Sequence, residues 1–135
     1  MNHICSIIII MFATDRRQTS DSIIATWDVT VTDTMAQSYY LHNTSRTAGA
    51  ATEVAADKKT AKYAPLAQTY VFVPIAVETM GAINSVGLEF LGDLGRRITQ
   101  VTDDIRESAF LFQRLSVLIQ RYNAVAIQGT FALNL

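Results

Sequence analysis

The stretch SIIATWDVTVTD at residues 22–33 decides how the chain is to be read. It is rich in β-branched residues, which fit the pleated backbone, and it alternates. Trp27, Val29 and Val31 fall on one side of an extended chain; Thr26, Asp28, Thr30 and Thr32 fall on the other. That spacing predicts a half-buried strand with one polar face and Trp27 on the core side. A second stretch, TYVFVPIAVET at residues 69–79, is more uniformly apolar and predicts a largely buried strand. Pro74 has no N–H for a ladder, which puts that strand at an edge or at a bulge. Between the two, residues 48–64 are alanine-rich, with Val54 and the alanines as an apolar stripe, Thr47 as N-cap and Pro65 as terminator. Lys58, Lys59 and Lys62 crowd the last turns of this helix, where cations suit its dipole.

Outward from this β–α–β core the pattern becomes helical. Residues 86–101 place Phe90, Leu91, Leu94 and Ile98 at core spacing, and Gly92 and Gly95 either weaken that helix or permit close packing. Thr102, Asp103 and Asp104, with Glu107 three places later, mark a new helix start. The last helix is expected over residues 105–127, with Ala109, Phe110, Phe112, Leu115, Leu118, Ile119 and Tyr122 as its apolar set and Gly129 as its stop. The fold class is therefore α/β (or α+β): a small mixed sheet with a crossover helix, followed by two long C-terminal helices.

Composition bounds the function. The 135 residues suffice for one ordinary domain; half are hydrophobic and 17% charged, as in globular proteins. A net charge of −1 gives no general attraction to nucleic acid, so any such role needs a local basic patch. The single cysteine, Cys5, excludes an intramolecular disulfide and a thiolate-rich metal site. Residues 4–13, ICSIIIIMFA, form an apolar run about half as long as the ~20 residues of a membrane span. Lacking a basic n-region, this run fits a buried strand or an unstructured start better than a targeting segment or membrane anchor. Residues 1–21 are thus treated as a leader, with a polar loop at 15–21, and residues 22–135 as the domain.

Three acid–base features carry possible chemistry. Asp28 lies on the polar face of the first strand, and Glu78 ends the second on the face of Phe72 and Ala76. If the strands are neighbours, both carboxylates can reach one cleft, where paired carboxylates bind Mg²⁺ and a lysine stabilises charge on a phosphate. The plain alternative is a strand-end carboxylate facing water beside a solvated lysine turn. Trp27 is ascribed to the core, and His42 lies in a stretch without metal-ligand spacing.

The segments WDVTVTDT, the Lys-Lys-x-x-Lys-Tyr run at 58–63, FVPIAVETMG, LGRRI and VTDDIRESAFLFQRLSVLIQRYNAV resemble, in order and spacing, the C-terminal end of non-LTR retrotransposon polyproteins, after the reverse transcriptase. The resemblance spans residues 25–131. It implies a restriction-endonuclease-like core of the PD-(D/E)XK class that nicks target DNA for target-primed reverse transcription with Mg²⁺. It further implies that Asp28 is the second acidic metal ligand, Glu78 another acid of the cleft, and Lys59 or Lys62 the catalytic lysine displaced onto the helix. The family's upstream Arg-Pro-Asp motif has no counterpart: residues 12–24 read FATDRRQTSDSII, with Asp15 or Asp21 as substitutes out of context. A truncated, impaired nuclease is therefore expected, acting in the nucleus if it functions.

Arg96 and Arg97 in one helix, with Arg106, Arg114 and Arg121 in the next, are candidate DNA contacts; the alternative is arginines on polar seams, paired with Asp103, Asp104 and Glu107. Gln113 and Gln120, like Arg114 and Arg121, repeat at seven-residue spacing. A competing expectation is a non-enzymatic packing module. Its two C-terminal helices would associate with the reverse-transcriptase region of a parent polyprotein or form a homo-oligomer.

Overall fold

A computed structural model describes residues 6–10, 25–33, 46–68 and 70–132. The loop at 15–21, Asp15, Asp21, Tyr39, Tyr40, Leu41, His42 and Cys5 lie outside the described residues. The mixed α/β architecture is as expected. Strands β1 (Ser6–Ile10) and β2 (Ala25–Thr32) pair antiparallel, and β2 pairs parallel with β3 (Val71–Glu78), giving the order β1-β2-β3. Helix α1 (Ala50–Lys62) makes the crossover between the parallel strands, and a short 3₁₀ turn at Leu66–Gln68 leads into β3. Helices α2 (Ser85–Thr102) and α3 (Glu107–Ala132) follow. The chain divides into two compact units, Met1–Leu88 and Glu89–Leu135.

The apolar run of the leader thus supplies a strand of the first unit's sheet. Pro74 fits because, among the described residues, β3 is an edge strand. A residue's N and O point to the same side of a strand, and Pro74 O accepts a hydrogen bond from Asn84 Nδ2 (2.9 Å) on the side away from β2. Its missing N–H therefore removes nothing from the β2–β3 ladder.

The two faces of β2 are filled differently from expectation. Thr26, Asp28, Thr30 and Thr32 are buried, whereas Trp27, Val29 and Val31 are only half-buried. Helix α1 packs on β2 and β3 and turns Ala51, Thr52, Ala55 and Ala56 inward, with Val54 half-buried. Alanines let the helix lie close, so the polar side chains beneath it are sealed from water. Some of their hydrogen bonds are made inside: Thr32 Oγ1 donates to Val77 O (3.4 Å).

Helix α1 begins later than Thr47 predicts. Gly49 is its N-cap, at φ 84°, a left-handed conformation that glycine adopts without the clash of a Cβ. Gly49 has no side chain to cap with; Thr52 Oγ1 donates to Gly49 O (2.7 Å). The helix stops at Lys62, shortly before Pro65.

Within the second unit, Gly95 sits against α3: a Cβ there would lie 2.7 Å from Ser108 Oγ and 3.0 Å from Ser108 Cα. Close packing is therefore the use of that glycine. Of the expected core set in α2, Leu91 is buried, Phe90 and Ile98 are half-buried and Leu94 is exposed. Helix α3 starts two residues later than expected and runs through Gly129. Asp103 takes a left-handed φ of 58°, Asp104 Oδ1 accepts the Arg106 N–H (2.9 Å), and the Asp104 N–H donates to Thr102 Oγ1 (3.4 Å) rather than to Glu107. Asp104 therefore caps the turn without the expected reciprocal bond from Glu107.

Candidate functional site

Asp28 and Glu78 do lie on one face of neighbouring parallel strands, beneath the same helix. Register separates them: Asp28 pairs with Pro74, and Glu78 pairs with Thr32. They are offset by four positions along the strands, roughly 13 Å. Helix α1 runs along this face and meets the two acids at opposite ends.

At its C-terminal end, Lys59 Nζ donates to Asp28 Oδ2 at 2.6 Å. The side chains are 12% and 2% exposed respectively, so this is an interior ion pair. It exists because Lys59 falls on the inward side of the last turns, eight residues and so about two turns after Ala51 at the start of the helix. Asp28 Oδ1 and Thr30 Oγ1, neighbours on the same face, are buried with no hydrogen-bond partner among the described residues. Lys62 is exposed, with its ammonium 5.1 Å from the Tyr63 ring centroid; Lys59 lies 5.9 Å from the same ring. Tyr63 in turn packs on Phe72, centroids 5.0 Å apart. Of the two candidate lysines, only Lys59 is shown against Asp28.

At the N-terminal end, Glu78 Oε1 accepts the Ala51 N–H (3.2 Å), so Glu78 caps α1 from a distant strand. Glu53 does the same for the next helix, accepting the Ser85 N–H at 2.7 Å. Neither role has a local sequence signature, since each acceptor comes from another element. Asn84 was likewise absent from the sequence expectations. It is fully buried, its Oδ1 accepts the Ala76 N–H (2.8 Å), its Nδ2 donates to Pro74 O, and its own N–H donates to Ala76 O (3.1 Å). One side chain thus acts as a short extra strand on the free edge of β3.

This arrangement does not fit a single Mg²⁺ held by Asp28 and Glu78. Such an ion sits ~2.1 Å from each ligand oxygen in a near-octahedral shell. The two acids are too far apart along the strands, and Lys59 holds the place at Asp28 where a cation would bind. Among the described residues no group of three or more His, Cys, Asp and Glu side chains could hold a metal ion.

The arginines are dispersed. Arg96 pairs with Asp93, and Arg106 pairs with Asp104 through Nε (3.0 Å) and Nη2 (2.8 Å). The side-chain hydrogen bond from Arg106, and then its backbone N–H, hold the Asp104 carboxyl below its ordinary value; Asp104 raises Arg106 correspondingly. Arg97, Arg114 and Arg121 are exposed and, among the described residues, in no ion pair. Gly95, beside Arg96, abuts Ser108, while Arg121 stands thirteen residues further along α3, about 20 Å. The basic side chains therefore spread along the helix instead of converging on one phosphate.

Among the described residues no helix is long and apolar enough to cross a membrane. Comparison of the chain with protein-family models, with curated proteins and with solved structures finds no match.

Proposed function

We propose that the chain is a retrotransposon-derived, restriction-endonuclease-like domain. Its ancestral role is metal-dependent nicking of target DNA for target-primed reverse transcription, an activity impaired here. The contact between Lys59 and Asp28 carries this reading. The resemblance implies an acid on a central strand served by a lysine displaced onto the following helix, and this buried pair has that relationship. The same geometry supports impairment. Lys59 neutralises the carboxylate in the interior, Glu78 is engaged at the start of α1, and no step through Mg²⁺ follows from acids so far apart. The ancestral partners are DNA and the reverse-transcriptase region of a parent polyprotein, and the place of action is the nucleus.

The ancestry is tested by sequencing the DNA 5′ of this reading frame. Reverse-transcriptase coding, with an Arg-Pro-Asp motif in a neighbouring frame, is the expected result. Flanking DNA in several independent isolates without any polymerase remnant would contradict it. A second reading, an interaction module, is favoured by the exposed Val117, Leu118, Val125 and Ile127 of α3.

A further inference from the structure

We propose that the outward face of α3 docks an acidic amphipathic helix of a protein partner; this rests on the interaction-module reading. Ser108, Phe112, Leu115, Ile119 and Asn123 form the half-buried stripe of α3, and the approach of Gly95 to Ser108 identifies it as the side that meets α2. The opposite side carries Phe110, Arg114, Val117, Leu118, Arg121 and Val125, all exposed. At 1.5 Å per residue this stripe is about 22 Å long. Two cations therefore sit inside an apolar strip, about 10 Å apart, and α3 contains no acidic residue after Glu107.

That charge pattern selects the occupant. A second copy of α3 would bring arginine against arginine, since an antiparallel pair centred between Val117 and Leu118 sets Arg114 opposite Arg121, and a parallel pair sets each against itself. Helices that bind lipid surfaces keep their cations on the face opposite the apolar one. Nucleic acid would meet the arginines with phosphate but leave Val117, Leu118 and Val125 without an apolar counterpart. A helix with an apolar seam and carboxylates seven residues apart matches both features, because arginine forms directed two-bond pairs with carboxylates.

The test uses the full chain and two fluorescein-labelled synthetic helices of about three heptads with leucine at a and d. One peptide carries Glu, the other Lys, at the positions flanking the seam. Anisotropy should show binding of the Glu peptide only. Arg114→Glu/Arg121→Glu should weaken it about tenfold or more and admit the Lys peptide, with unchanged circular dichroism because both positions are exposed. Equal binding of the two peptides overturns the inference. A dimer in sedimentation that Val117→Asp disperses also overturns it, while leaving the interaction module standing with a second copy as occupant. A monomer that binds neither peptide removes both. Binding to phosphatidylserine vesicles that Val117→Asp abolishes assigns the face to lipid and overturns the acidic helix.

Discussion

Asp28 is held between two demands. Its carboxylate is sealed beneath α1, where an uncompensated charge is costly, and Lys59 is the group shown to offset it. Lys59→Met should therefore destabilise the fold by about 3–5 kcal/mol, measured by urea unfolding at neutral pH. Asp28→Val combined with Lys59→Met should recover most of that loss, since neither charge then remains inside. Asn84→Ala deprives the Ala76 N–H and Pro74 O of partners in the interior, at about 1–3 kcal/mol for each orphaned group by the same assay. A pH effect belongs to Asp104. Its folded-state pKa lies below the ordinary 3.8, so its contribution is present above that value and is lost as pH falls through the folded one. The stability difference between wild type and Asp104→Asn should accordingly be constant at neutral pH and vanish on acidification.

Between the elements, glycines show how packing and propensity compete. Gly95→Ala gains helix propensity but drives a methyl against Ser108, so α2–α3 packing should loosen and the net change should be destabilising. Gly129→Ala meets nothing within 4 Å and lies inside α3, so it should stabilise that helix by about 0.5–1 kcal/mol. Hydrogen exchange along α3 checks both. The strands, the crossover helix and the helical pair were legible because period 2 and period 3.6 are properties of local sequence. Which face of β2 becomes the buried one was not. Alternation shows that Asp28 and three threonines share a face, but whether that face is covered depends on the alanines of α1, two dozen residues on. The position of Gly49 shows the same limit: the helix start follows from a left-handed turn and from Glu78 on β3, not from the threonine preceding it.

Across the molecule, the sequence nominated Asp28, Glu78 and the lysine turn, and the fold sorts them into two separate pairings. Parallel register offsets the acids by four positions, a spacing that no inspection of single strands reveals because it depends on how far each slides along the other. Helix α1 then joins Lys59 to Asp28 at one end and takes Glu78 as its cap at the other. This leaves a strand acid paired with a helix lysine, the acid buried and the lysine largely so, with the second acid engaged elsewhere. The most direct test is incubation of the purified chain with supercoiled plasmid in Mg²⁺ or Mn²⁺, beside Asp28→Ala. The expected result is no metal-dependent nicking above the level given by Asp28→Ala. Robust nicking that Asp28→Ala abolishes would contradict these separate pairings.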